Sequence, residues 1–365
     1  MYIDLRSDKL YNPEHQQLYN RIARRNRKAF TNFIGEISKY YKDNLDWWVS
    51  MPPSRHIYTS QLFHYYCSLI LVRLLLKQKK SNLIIITDSK AFKYVLEKYF
   101  AQNKIVVDVD YRVNIAVKIK NFIKIFYLVF LIPLKHIFIF FRIKHLLKNK
   151  NNLPKDSITI IDTYIIRDDI NDRYYSGLWD TLNKNERKNI YFLPFFCHPI
   201  NLSTLFQKLQ GSNKNFLIKE NILKISDYFY AWCHCVRVFR IRINPIYFSG
   251  FNFKQLIKQE LYSFNIFNSS FEAIINYLFV KRLKEKGIDV RLLIDWFENQ
   301  VIDKGLILGF RKFYPRVKIK GYQGFIVTKN HLSLYPSEGS FPPYTSAFSP
   351  ADQSTFCTSP FSALP

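Results

Sequence analysis

The chain has 365 residues, with 54 Lys and Arg against 28 Asp and Glu, a formal net charge of +26, aromatics at 17% and only 10 glycines. That length is enough to bury a real core in two domains or one large one, and the charge points to polyanionic partners: nucleic acid, anionic lipid or phosphate-bearing substrates. There is no zinc-finger spacing, RNP-like motif or recognition-helix pattern, and the basic residues are spread along the chain, so nucleic acid is not the expected partner.

Five cysteines without framework spacing exclude a disulfide scaffold. An N-terminal stretch with no apolar signal core adds to the expectation of a reducing, cytoplasmic location. Residues 12–49 read as helical, with Arg21, Arg24, Arg25, Arg27 and Lys28 clustered, and end at Asp46-Trp47-Trp48. The loop Pro52-Pro53-Ser54-Arg55-His56 follows. Its Arg55 and His56, after Trp47-Trp48, make an aromatic-plus-cation set suited to sugars or phosphates, or else the loop holds a solvated Arg beside a buried tryptophan pair. Residues 57–78 form an apolar helix too short and too polar at its flanks to span a bilayer.

An alternation comes next. Residues 82–89 read as a buried strand ending in Asp88-Ser89, residues 91–103 as an amphipathic helix, and residues 104–110 as another strand. Strand, helix, strand is the unit of a parallel sheet. Asp88 and Ser89 either cap the helix or touch a ligand. Further strands are expected at 157–165, 189–196, 215–223 and 290–297, with helices between them, notably 226–242 and 253–286. The loop ends Asp162-Thr163, Arg167-Asp168-Asp169 and Asp172-Arg173-Tyr174-Tyr175 offer carboxylates and cations to a common cleft. The fold class is therefore α/β, a Rossmann-like parallel sheet layer with an added N-terminal helical region. No GxGxxG follows the first strand, so no dinucleotide cofactor is expected.

Residues 113–149 are apolar but interrupted by Lys124, Pro133 and Lys135. At 100° per residue Lys120, Lys124, Lys135 and Arg142 fall within about 60° of one another, one cationic stripe beside a wide Ile/Phe/Leu face. Three readings stay open: a helix lying in the headgroup plane, a buried or subunit-contact helix, and a spanning helix that would hold Lys135 in hydrocarbon at about 2.5–3.5 kcal/mol. Cys233-His234-Cys235 places three adjacent side chains in different directions with no second Cys/His pair, so core packing is expected there and no metal. His198 after Cys197 has no evident partner. Residues 337–365 contain no Lys or Arg and much Ser, Thr and Pro, and are expected to be disordered, as an evolved tail or an out-of-frame product.

The richest segment is Asp295-Trp296-Phe297-Glu298-Asn299-Gln300, directly after the strand-like run Val290 to Ile294 and before a helix with Asp303 early and Lys304, Arg311 and Lys312 later. Polar side chains at the C-terminal edge of a parallel strand stand where α/β sheets bind ligands. On DWWVSMPPSRHIYTSQLF (46–63) and, more specifically, LLIDWFENQVIDKGLILGFRKFYPRVKIKGYQGFIV (292–327), ending in LSLYPSE (332–338), the chain resembles bacterial surface-carbohydrate (O-antigen and capsule) biosynthesis proteins, a glycosyltransferase-like family with a GT-B arrangement of two Rossmann-type halves.

The resemblance implies transfer of a sugar from a nucleotide-activated donor to a saccharide or lipid-linked acceptor, at an anionic inner-membrane surface, with the donor as substrate and neither metal nor other cofactor. On that reading Glu298 is the base or acceptor contact, with Asp295 second. Lys304 and Arg311 meet phosphate, Asn299, Gln300 and Gln323 orient sugar hydroxyls, and Arg55, Asp88 and Ser89 complete the substrate contacts. The expected domains are a helical segment over 1–80, one Rossmann-like domain over 81–336, and the tail, so that a C-terminal half is missing and the chain itself can be inactive. The alternative is a non-catalytic, membrane-peripheral assembly or binding protein.

Overall fold

The computed structural model describes residues 2–6, 13–78, 83–147, 154–166, 169–170, 175, 177–197, 201–322 and 332. The expectations for Arg167, Asp168, Asp172, Arg173, Tyr174, His198, Gln323 and the 337–365 tail lie outside the described residues, as does most of LSLYPSE.

The described strands, in chain order, are β1 (Tyr2–Asp4), β2 (Ile84–Thr87), β3 (Asp108–Tyr111), β4 (Ile158–Ile166), β5 (Ile190–Cys197), β6 (Tyr247–Phe248), β7 (Phe251–Asn252), β8 (Val290–Trp296) and β9 (Lys318–Tyr322). They build two parallel sheets, β1-β2-β3 and β5-β4-β8-β9, and one antiparallel hairpin, β6-β7. The class is α/β with parallel sheets, as the alternation of apolar runs and amphipathic helices predicts. The strands expected in a single layer over 81–336 instead fall into two sheets. β3 carries Asp108 and Asp110 and, among the described residues, pairs with β2 alone, a charged strand at the end of its sheet.

The chain divides into two compact units. One contains Met1–Phe130 and His234–Phe267, the other Leu131–Cys233 and Asn268–Val327.

In the first unit the helix Pro13–Lys39 turns Phe30, Ile34 and Ile37 inward, and the helix Leu62–Lys77 contributes Tyr66, Leu69 and Val72. The spacing of three and four residues is that of one helical face. Phe30 and Tyr66 meet edge to face at 5.3 Å. Trp47 and Trp48 are buried, and each indole N–H is used internally, on Ser38 Oγ at 3.2 Å and on the Lys42 carbonyl at 3.0 Å. The expected helix at 226–242 is broken into Ile225–Trp232, His234–Arg237 and a 3-10 turn Val238–Arg240, and the one at 253–286 into Lys254–Leu261 and Phe267–Glu285, with Phe264 left-handed at φ of 52° between them. In the stretch that separates the two, Asn244-Pro245 cannot continue a helix, and Ser249 and Gly250, with φ of 51° and 88°, make the tight turn of the β6-β7 hairpin.

In the second unit β4 and β8 are the central strands. Ile158, Ile160, Ile161, Val290 and Leu293 are buried, which is why those runs read as continuous apolar stretches. The expected strand at 215–223 reduces to one parallel bridge, Phe216 beside Phe192, followed by a 3-10 turn at Lys219–Asn221. The helix Val301–Phe313 packs on the helix Phe267–Glu285 through Gly305 and Gly309, where an added Cβ would meet Ala273 and Val280.

A candidate active site at a fork between two strands

The β5-β4-β8-β9 order means that the chain leaves β4 towards β5 on one side and returns as β8 on the other. Counted within the unit, the order is 2-1-3-4, so the winding reverses between β4 and β8. Open parallel sheets bind ligands beyond the carboxyl ends of their strands at such a reversal. Here the register shows the opening directly. β4 pairs with β8 only as far as Ile161↔Ile294, whereas β4 follows β5 to Ile166↔Cys197 and β8 follows β9 to Trp296↔Tyr322. The first residues past the fork are Asp162 on one strand and Asp295 on the other.

Because facing positions of a parallel pair point to the same side, these two carboxylates emerge side by side. Asp295 is 1% exposed, and among the described residues its Oδ2 has no hydrogen-bond partner. Burial first, then the charges of Asp162 and Asp303, hold the Asp295 carboxyl well above the ordinary carboxylate range. Burial likewise pushes Asp162 up to about 7, against the pull of the Lys219 ammonium and the Thr163 backbone N–H. The Asp162 charge thus opposes ionisation of Asp295 beside it.

Asp303 is buried in the first turn of Val301–Phe313, where its Oδ2 accepts the backbone N–H of Gln300 and of Glu298, both at 3.0 Å. A carboxylate at that turn satisfies otherwise orphaned helix N–H groups. Burial still raises it to about 7, the two N–H donors opposing and the Asp162 and Glu298 charges adding. Tyr164, two residues along β4 from Asp162 and so on the same face, has its phenol pushed up by burial and by all four of these carboxylates.

Lys219 brings a cation to this side of the sheet. Its Nζ donates to Asn276 Oδ1 at 2.9 Å, lies 3.8 Å from Glu272 Oε2, and sits 5.4 Å over the Phe195 ring. His136 Nδ1 contacts the other oxygen of Glu272 at 3.3 Å. Glu220 is buried with Oε2 unpartnered, and burial raises its carboxyl.

The structure brings together Asp295 near the end of β8 and Glu298, Asn299 and Gln300 in the link from β8 to the following helix. Glu298 is half-buried, with Oε1 accepting the Trp296 indole N–H at 2.7 Å and Oε2 accepting the Gln300 side-chain amide. Asn299 is buried with φ of 53°, a left-handed turn that Asn tolerates and that swings the chain into the helix. Lys304 is buried one turn into that helix. Arg311 lies two turns further, about 10 Å along the axis, its guanidinium Nε and one NH2 unpartnered and its pKa lowered by burial. Lys304 and Arg311 are thus not presented together.

Ser89 caps the helix Lys90–Gln102, accepting the Phe92 N–H at 3.0 Å, and its hydroxyl donates to Gln259. Asp88 is half-buried beside it. Arg55 is buried in a left-handed conformation, and desolvation lowers it to about 10. These three belong to the first unit. His234 of the Cys-His-Cys run is engaged by Asp46 at 2.7 Å, which also holds Arg237 at 2.9 Å.

Asp162 had one signal in the sequence that its reading as a loop end underuses: a carboxylate inside the run ITIIDTYII is expensive to bury. Nothing marked Lys219, whose role depends on a chain crossing. Among the described residues no group of three or more His, Cys, Asp or Glu is arranged to hold a metal ion. Compared with protein-family models, curated proteins and solved structures, the chain matches none.

Proposed function

We propose that this protein is a sugar-transfer enzyme whose acid–base chemistry resides at the fork. The observation that carries the reading is the Asp162–Asp295 pair, set at the winding reversal of a parallel sheet with one buried carboxylate oxygen unpartnered. Transfer from a nucleotide-activated donor breaks the bond from the anomeric carbon to the phosphate oxygen, releases the nucleotide with that electron pair, and requires a group that removes the proton of the acceptor hydroxyl as the new glycosidic bond forms. A buried carboxyl pair with raised proton affinity meets that need: its ionised member accepts the hydroxyl proton while its neighbour stays neutral, so that only one negative charge is held at the fork. The substrate class comes from the resemblance to surface-carbohydrate biosynthesis proteins: a nucleotide sugar as donor and a saccharide or lipid-linked hydroxyl as acceptor. Glu298, Asn299 and Gln300 stand on the same loop to meet sugar hydroxyls, and Lys219 balances the negative charge of the pair.

The test is release of nucleotide from a panel of nucleotide sugars by the full chain, with a bacterial glycolipid fraction as acceptor. Asp295→Asn keeps the shape and removes the base. Turnover should fall by roughly 100-fold or more while the circular dichroism spectrum and donor binding persist. Wild-type turnover that survives both Asp295→Asn and Asp162→Asn removes the proposal, as does binding of donor without any turnover by the wild type, which is the behaviour of an assembly protein.

A further inference from the structure

The helix Ile115–Leu146 runs for 32 residues, with only 11% of its most apolar window buried. From Arg112 to Lys155 the chain has ten Lys or Arg and neither Asp nor Glu. The first stretch, Ile115–Phe126, buries no side chain. Its apolar residues still form a row: Ile115, Ile119, Phe122 and Phe126 recur at spacings of four, three and four, which is one helical face. They are 72%, 57%, 71% and 51% exposed. The second stretch, Ile132–Leu146, carries a row of its own in Leu134, Phe138 and Phe141, all exposed.

In an unbroken α-helix these rows would face different ways. Phe126 and Leu134 are eight residues apart, about 80° out of phase at 100° per residue. The π-helical turn Tyr127–Leu131 takes up one residue. The effective spacing becomes seven, and the offset falls to about 20°. The single cationic stripe expected from an unbroken helix is split by the same turn, which moves Lys135 and Arg142 about 100° from their place beside Lys120 and Lys124. Lys118 and Lys144 then flank the merged apolar row on one side, Lys135 and Arg142 on the other.

The opposite side of the second stretch is protein core. Phe140 and Ile143 are buried, Ile143 within a cluster that includes Ile165, Leu205 and Phe206. A helix that forms one wall of a folded unit is not ringed by hydrocarbon, so this one does not cross a bilayer as a free span.

We propose that this face docks on an anionic lipid surface, with the two aligned apolar rows entering the headgroup boundary and the flanking cations meeting lipid phosphates. The π-turn is the device that makes one docking face out of two. This inference is independent of the reaction assigned to the fork.

The test is co-flotation of the full chain with vesicles of phosphatidylcholine containing about a quarter phosphatidylglycerol, against vesicles of phosphatidylcholine alone. The wild type should float with the mixed vesicles and not with the neutral ones. Phe122→Asp combined with Phe138→Asp, both at exposed positions, should reduce bound protein roughly tenfold. Deleting Leu128 removes one residue from the π-turn, leaves both rows intact in composition, and should weaken binding to a similar degree. If that deletion unfolds the protein by circular dichroism, the paired Asp variant decides alone. Wild-type protein that stays at the bottom of the gradient with mixed vesicles overturns the proposal. So does flotation unchanged by the paired Asp variant, or a wild-type dimer that the same variant dissociates in the absence of any flotation, which assigns the face to a second copy of the chain.

Discussion

Gly305 lies directly against the backbone carbonyl of Ala273: a Cβ at position 305 would fall 1.8 Å from that oxygen. Because the obstacle is backbone and not a rotatable side chain, the helices Val301–Phe313 and Phe267–Glu285 would have to separate to admit even a methyl group. Gly305→Ala is expected to destabilise the fold by about 3 kcal/mol or more, at the upper end of overpacking costs. Gly309→Ala meets the Val280 side chain at 2.8 Å and should cost less. Urea denaturation of the two variants checks the order.

The Asp227–Arg282 pair ties the helix Ile225–Trp232 to the helix Phe267–Glu285. Arg282 Nε and NH2 both reach the Asp227 carboxylate, with the shortest contact at 2.6 Å, and the Asp227 side chain is 3% exposed. Arg282→Ala strands a buried carboxylate and should lower stability by about 3–5 kcal/mol. Adding Asp227→Asn to that variant should recover part of the loss. A thermal melt in which the double variant is no more stable than the single one would contradict this account.

The fork makes stability depend on pH in a direction unusual for carboxylates. Asp162 and Asp303 have folded-state values near 7 and Asp295 is raised well above its ordinary value, all higher than in the unfolded chain. Groups shifted upward contribute most below about pH 4, and the contribution is lost as pH rises through about 7. Unfolding midpoints should therefore fall between pH 5 and pH 8. Asp295→Asn should flatten that slope and raise stability at pH 8, which urea titrations at pH 5 and pH 8 would measure.

Asp46 acts in the opposite sense. Burial raises its carboxyl, but hydrogen bonds and charge from His234 and Arg237 outweigh that and hold it below its ordinary value. Its contribution is present above about pH 4 and is lost as pH falls below that. Asp46→Asn should cost about 2 kcal/mol at pH 7 and weaken the acid unfolding transition. Urea titrations at pH 3 and pH 7 measure both effects.

Strand and helix positions were largely legible because β2, β4, β5 and β8 are near-continuous apolar runs and the helices between them are amphipathic. The division into two sheets was not legible, since it depends on which strand edges stay unpaired, and a sequence read strand by strand does not show that. Asp295, Glu298, Asn299 and Gln300 stand out in the sequence because a polar cluster follows a strand. Asp162 is marked only as a carboxylate within an apolar run, and Lys219 reaches the same place through a chain crossing that leaves no local pattern. The π-turn was invisible for a simpler reason. Tyr127-Leu128-Val129-Phe130-Leu131 is as compatible with an ordinary helix as with a widened one.

The fork also has a consequence for the main chain. Beyond Ile161 and Ile294, β4 keeps its ladder with β5 and β8 keeps its ladder with β9, but the two strands no longer bond to each other. Past that register the four-stranded sheet continues as two separate two-stranded ribbons, and Asp162 and Asp295 stand at the point of division. A substitution that let the β4–β8 ladder run on would therefore close the sheet over both carboxyls at once.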